Sequence, residues 1–207
     1  MESHLQKQAF RLNFVPMEEL LHTIRQCTLC SEVLPCAPKP VLAAGPKARI
    51  LLIGQAPGRK VQESGIAWDD ASGKNLRRWL GVTAEEFYNP DLFALVPMGF
   101  CYPGTGKSGD LPPSPVCATT WHEQLRAQMP DIRLTLLIGH YAQRFYLGKR
   151  AKSTLTETVL HFGEFLPAYF PLVHPSPRNG IWQRRNPWFE LDVVPVLQQI
   201  VRQHICG

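Results

Sequence analysis

The chain has 207 residues, 44% of them hydrophobic, which suffices for one well-buried core and is short for two. Its formal net charge of +5 favours a polyanionic partner such as nucleic acid. No apolar run reaches the ~20 residues that span a bilayer, and the opening MESHLQKQAF lacks the charged-then-apolar layout of an export signal, so the sequence predicts a cytoplasmic protein of one domain (1–207) with no membrane role.

Six cysteines in a chain without an export signal suit metal ligation or burial better than disulfides, because a reducing compartment keeps thiols free. Cys27 and Cys30 form a C-x2-C pair ahead of the first of four short apolar runs. Those runs are Arg49–Gly54, Leu92–Met98, Leu134–Gly139 and Tyr169–His174. They lack clean alternation, as expected of parallel strands buried on both faces. Helix signals lie between and after them: Ser72 is set to cap KNLRRWLG, and Thr83 with Glu86 matches a capping box. Asn186 and Pro187 are set to open the helix WFELDVVPVLQQIVRQH, which Pro195 interrupts. The alternation of strand and helix predicts a three-layer α/β/α domain around a central, mainly parallel four-stranded sheet.

Ligand sites of open parallel sheets gather beyond the carboxyl ends of the strands. Here the first run ends in GQAPG (Gly54–Gly58), the second in GFCYPGTGKSGD, and the fourth in HPSPRN (His174–Asn179). Taken singly, the first is an ordinary turn and the last a structural histidine between prolines. Cys101 and Cys117 follow the second run with fifteen residues between them, while Cys36 and Cys206 stand outside this pairing. By physics alone, four thiolates suit a [4Fe–4S] cluster or a tetrahedral zinc equally, and buried free thiols are the bland alternative.

Together, GQAPG and HPSPRN in this order, with 119 residues between Gly54 and His174, resemble the water-activating loop and the late HPSP-type loop of uracil-DNA glycosylases. The C-x2-C pair followed by Cys101 and Cys117 resembles the C-x2-C…C-x(14–17)-C pattern of the iron–sulfur branch usually called family 4. That resemblance implies a monofunctional N-glycosyl hydrolase of base excision repair, monomeric, which flips a damaged base out of DNA and hydrolyses its glycosidic bond. It implies a [4Fe–4S] cluster on Cys27, Cys30, Cys101 and Cys117, with zinc as the alternative. His174 would face the base carbonyl and stabilise the departing anion. Trp68 stands where relatives carry an aromatic under the flipped base, with a core tryptophan as the alternative. Ser176 would grip phosphate, and Arg178 occupies the place of a leucine wedge. Arg184 and Arg185, interleaved with Trp182 and Trp188, suit a backbone-tracking surface, although Trp188 and Phe189 read better as core anchors.

Two features depart from the resembling enzymes. Where an Asp or Glu orients water in the first loop, this chain has Gln55 and Ala56, and neither can act as a base. Asp69 and Asp70 are the nearest substitutes, then Glu63, with surface charge or helix capping as their alternative roles. Where family 4 carries a base-reading Asn four residues before the third cysteine, the chain has Pro97. Base reading then falls to backbone groups of Pro97–Phe100 or to Asn179. The absent acid also motivates a second expectation, a non-catalytic damaged-DNA-binding protein on the same fold.

Overall fold

The computed structural model describes residues 15–107 and 109–206; the stretch MESHLQKQAF, on which the expected lack of an export signal rests, lies outside them. Among the described residues no helix is long and apolar enough to cross a membrane. The strands in chain order are β1 (Ile50–Ile53), β2 (Phe93–Leu95), the short β3 (Thr105–Gly106) and β4 (Gly109–Asp110), β5 (Leu134–Ile138) and β6 (Tyr169–Leu172). The helices are α1 (Met17–Arg25), α2 (Arg59–Ser64), α3 (Ala71–Leu80), α4 (Ala84–Tyr88), α5 (Pro115–Ala127), α6 (His140–Leu147), α7 (Leu155–Leu160), α8 (Gly180–Arg185) and α9 (Val194–Cys206).

The four predicted apolar runs form one sheet in the order β2-β1-β5-β6, and every pair in it is parallel. Successive side chains of a strand point to opposite faces, so each run must fill two cores. Leu51, Ile53, Ala94 and Leu137 join the apolar faces of α1, α5 and α6. Ile50, Leu52, Phe93, Leu136 and Phe170 join those of α3, α4, α7 and α9. Phe87, Phe93, Phe170 and Phe189 are almost wholly removed from water, and each contributes about 2–3 kcal/mol of transfer free energy. This double burial explains the absence of alternation in the sequence. It also leaves all four carboxyl ends on one rim.

The helix starts follow the local sequence signals in part. The Thr83–Glu86 capping box opens α4 as expected, with Thr83 Oγ1 accepting from the Glu86 N–H and the Glu86 carboxylate accepting from the Thr83 N–H. Helix α3, however, starts earlier than Ser72 would set it. Asp70, in extended conformation, caps it by accepting from the Gly73 N–H at 2.8 Å, and Ser72 lies buried in the first turn. Toward the carboxyl end, Phe189–Val193 forms π-helical turns before α9 begins at Val194. Pro195 has no N–H for an i−4 bond, and the wider turns ahead of it absorb that loss without ending the rod.

Candidate functional site

Loops leaving β1, β2 and β6, together with the β3–β4 hairpin, enclose a cavity of about 360 Å³ on this rim. Gly54, Gln55, Gly58, Trp68, Pro97, His174, Ser176 and Arg178 all line it, so the two loops singled out in the sequence do converge. Trp68 forms one wall in an unusual conformation, with φ at 60°. Few side-chain-bearing residues adopt that region, and doing so costs about 1–3 kcal/mol unless the surroundings hold it. Two glycines supply the hold. A Cβ on Gly54 would sit 2.7 Å from Trp68 Cζ2, and one on Gly73 only 1.8 Å from the Trp68 carbonyl oxygen. The indole therefore lies directly on β1's exit and the Trp68 backbone on the start of α3, with the indole centroid 5.9 Å from that of the His174 ring at 32°.

The orientation of His174 follows from its neighbours. The Ser176 N–H donates to His174 Nδ1 at 3.2 Å, so Nδ1 carries the lone pair and the ring proton belongs on Nε2. Burial pushes the imidazole below its ordinary pKa, and the negative charges of Asp70 and Asp110 offset this only in part. The ring is therefore neutral at physiological pH, a donor through Nε2. Asn179 Nδ2 donates to the His174 carbonyl at 2.7 Å, and Asn75 Nδ2 donates to the Pro175 carbonyl at 3.1 Å, fixing the loop from both sides. Ser176 Oγ accepts from the Arg178 N–H at 3.2 Å, which turns the chain into a short 3₁₀ segment and sends the exposed Arg178 along the cavity mouth.

On the opposite side, the first loop is woven into its neighbours. The Met98 and Gly99 N–H groups donate to the carbonyls of Gly54 and Gln55 at 2.8 and 3.0 Å. The Pro97 carbonyl accepts from His122 Nε2 at 3.0 Å, while the other nitrogen of that buried ring meets Tyr146 Oη at 2.7 Å. These backbone groups of Pro97–Gly99 are thus committed to holding loops together rather than offered to a base. Gln55 Nε2 donates to the Leu111 carbonyl at 3.0 Å and so ties the first loop to the hairpin.

The remaining predicted residues separate by position. Asp70 lines the cavity but spends one oxygen on capping α3, the alternative role foreseen for it. Asp69 and Glu63 are exposed and stand outside the cavity lining. Asn179 braces His174 from behind the loop, and Arg184 and Arg185 lie exposed on α8 beyond the lining. One lining carboxylate was not foreseen: Asp110, at the end of the hairpin, whose Oδ2 lies 3.5 Å from where a Gly58 Cβ would be. Only the two-residue ladder of Thr105 with Asp110 and Gly106 with Gly109 brings it there. Strands that short leave no periodic signal in GFCYPGTGKSGD.

A family model described as the Uracil DNA glycosylase superfamily matches residues 43–198. The chain belongs to that superfamily. The matched span takes in the whole four-stranded sheet and every residue that lines the cavity except Val41, which falls just ahead of it.

Cys27 and Cys30 precede the matched span, whereas Cys101 and Cys117 lie within it. All four nevertheless line one small, separate cavity between the segment that follows α1, the loop after β2 and the start of α5. Burial pushes the Cys101 thiol up to about 12 and the Cys117 thiol up to about 11, and in both cases the neighbouring cysteines add to the rise. Cys30 Sγ donates to Ser114 Oγ at 3.1 Å. Among the described residues, no three Cys, His, Asp or Glu side chains are gathered as a single metal ion would require. A tetrahedral zinc with Zn–S near 2.3 Å draws its sulfurs to within about 3.8 Å of one another. The donor set is all thiol, the soft chemistry that both zinc and iron–sulfur clusters take.

Proposed function

We propose that this member of the superfamily is a monofunctional DNA glycosylase that flips uracil or a related deaminated base and hydrolyses its N-glycosidic bond. The observation that carries this is the neutral His174 ring, held with Nε2–H as its donor in a cavity walled by Trp68. Breaking the bond puts negative charge on the departing base, and a fixed donor aimed at that charge acts mainly in the transition state. Extracting the base costs a few kcal/mol, of the same order as the ~1–3 kcal/mol that stacking on an aromatic face returns. Ser176 and Arg178 at the mouth suit phosphate contacts, which position the strand without reading its sequence. Asn179 serves the base indirectly, by fixing the His174 carbonyl.

Cys27, Cys30, Cys101 and Cys117 would hold a [4Fe–4S] cluster, which would tie the segment after α1 to the loop after β2 and the start of α5. Their shared cavity and all-thiol chemistry support a metal centre there, and the resemblance of their spacing to the iron–sulfur branch favours the cluster over zinc.

One feature favours the second reading, a damage-binding protein without turnover: Gln55 replaces the first-loop acid, and its amide is already engaged by Leu111. Single-turnover excision from single- and double-stranded oligonucleotides carrying uracil, hypoxanthine or xanthine separates the two. Excision of at least one lesion, slowed roughly 10²–10³-fold by His174→Ala with little change in binding, is the expected result. Tight lesion binding with no excision of any of them gives precedence to the second reading.

A further inference from the structure

We infer that Asp110 supplies the carboxylate that the first loop lacks, and that it activates the attacking water; this rests on the glycosylase reading of the same cavity. Four carboxylates lie near enough in sequence or space to be considered, and three have other duties or positions. Glu63 and Asp69 stand outside the cavity lining, and one of the two carboxylate oxygens of Asp70 accepts the Gly73 N–H that caps α3. Asp110 lines the cavity, faces the Cα of Gly58 where no side chain intervenes, and lies close enough for its charge to act on His174. Among the described residues, no hydrogen bond or salt bridge engages its carboxylate.

Its position is built by the surrounding loops. Gln55 Nε2 holds the carbonyl of Leu111, the very next residue, and the Leu111 N–H donates to the Gly104 carbonyl at 2.8 Å. The base of the hairpin is fixed again at Tyr102, whose N–H donates to the buried Gln62 Oε1 at 3.0 Å. The amide in place of the family's first-loop acid thus acts as an anchor for the acid's replacement. A carboxylate and the His174 donor in one cavity suit the two charges of the reaction: positive character on the sugar, negative on the base.

In the step proposed, a water oxygen bonds to C1′ of the deoxyribose while one of its protons passes to Asp110. The C1′–N bond breaks and its electron pair leaves with the base, whose anion is stabilised by His174 Nε2–H. The base anion then takes a proton from solvent and Asp110 returns its own to solvent, so the sum is one water added across the glycosidic bond.

The test is single-turnover excision of uracil by the full-length protein and its Asp110→Asn and Asp70→Asn variants. Each is also assayed for binding to a duplex carrying a tetrahydrofuran abasic analogue and for thermal unfolding. General-base loss in Asp110→Asn should slow excision roughly 10²-fold or more while binding and unfolding temperature stay near wild type. Partial recovery of the rate in Asp110→Gly on adding formate would support a base, because a hairpin prop cannot be replaced by a small anion. An Asp110→Asn rate within about threefold of wild type, or a larger loss in Asp70→Asn than in Asp110→Asn, overturns the assignment and leaves the glycosylase reading standing. A wild type that excises none of the lesions overturns both.

Discussion

The backbone N–H of Ser176 points into Nδ1 of His174 at 3.2 Å, and this one contact decides which nitrogen of the ring carries its proton. Two residues of HPSPRN thereby act as a unit: the turn that sends Arg178 to the cavity mouth also orients the donor inside it. Nitrogen-15 spectra of the ring should show a neutral Nε2–H tautomer at pH 7. On acidification its protonation should lag behind that of a free imidazole, because burial outweighs the attraction of Asp70 and Asp110. A His174 resonance that is cationic at pH 7, or a neutral ring with its proton on Nδ1, contradicts the arrangement.

The cysteines make a prediction of their own. Anaerobically purified protein should be brown from sulfur-to-iron charge transfer, and Cys101→Ala should bleach it and lower the unfolding temperature. Cys36→Ala should do neither, since Cys36 is exposed and is not among the residues lining the four-cysteine cavity. Metal analysis decides the matter: stoichiometric zinc in a colourless protein would keep the ligand set and remove the cluster.

The fold was largely legible in the sequence because double burial leaves a plain mark. A strand such as Ile50–Ile53 must be apolar at every position, and each such run ends where its loop begins. Residue type alone singled out His174 and Trp68, which meet in one cavity, and the four cysteines, which line another. The site was not legible where geometry overrides type. Asp69 and Asp70 are chemically equivalent neighbours, yet one stands outside the lining and the other caps a helix. Asp110 is remote from the first loop in sequence and reaches it through a hairpin two residues deep. No periodic pattern encodes so short a pairing.

Acid stability should depend on His122. This ring is buried between the Pro97 carbonyl and the Tyr146 hydroxyl, and burial pushes its pKa down to about 4 from an ordinary 6.5. The unfolded chain therefore gains a proton below pH 6.5 that the native state refuses until about pH 4. Stability is whole above that window and falls as pH is lowered through it, by on the order of 3 kcal/mol for this group alone. Urea unfolding of wild type and His122→Gln at pH 7.5 and 4.5 measures the difference. The variant should be less stable at the higher pH, through lost packing and hydrogen bonds, but should lose less on acidification. Equal losses in the two proteins would show that another group governs the transition.

The seat of Trp68 gives the sharpest distinction between a stacking wall and a core side chain. Gly54→Ala would push a methyl to 2.7 Å from Cζ2, at the far end of the indole, where the ring can give way by swinging into the cavity. Gly73→Ala would put a methyl 1.8 Å from the Trp68 carbonyl, which is backbone and can yield only by displacing the start of α3. The two substitutions add the same atoms against the same residue, yet their costs should fall in different places. Gly54→Ala should fold with a modest penalty, of about 1–2 kcal/mol as for other overpacked sites, while excision and lesion binding both fall sharply because the stacking face is displaced into the space the base would occupy. Gly73→Ala should instead lower the unfolding temperature severely, with the Asp70 cap lost along with the turn it serves. Trp68→Phe keeps a flat face of smaller area and should retain more binding than Trp68→Ala, whose loss should approach the ~1–3 kcal/mol of one stacked base. Thermal unfolding together with lesion-binding titrations across these four variants reads out both effects. If Trp68→Ala binds lesion DNA as tightly as wild type while its stability collapses, the tryptophan is a core residue and the wall of the cavity must be sought elsewhere.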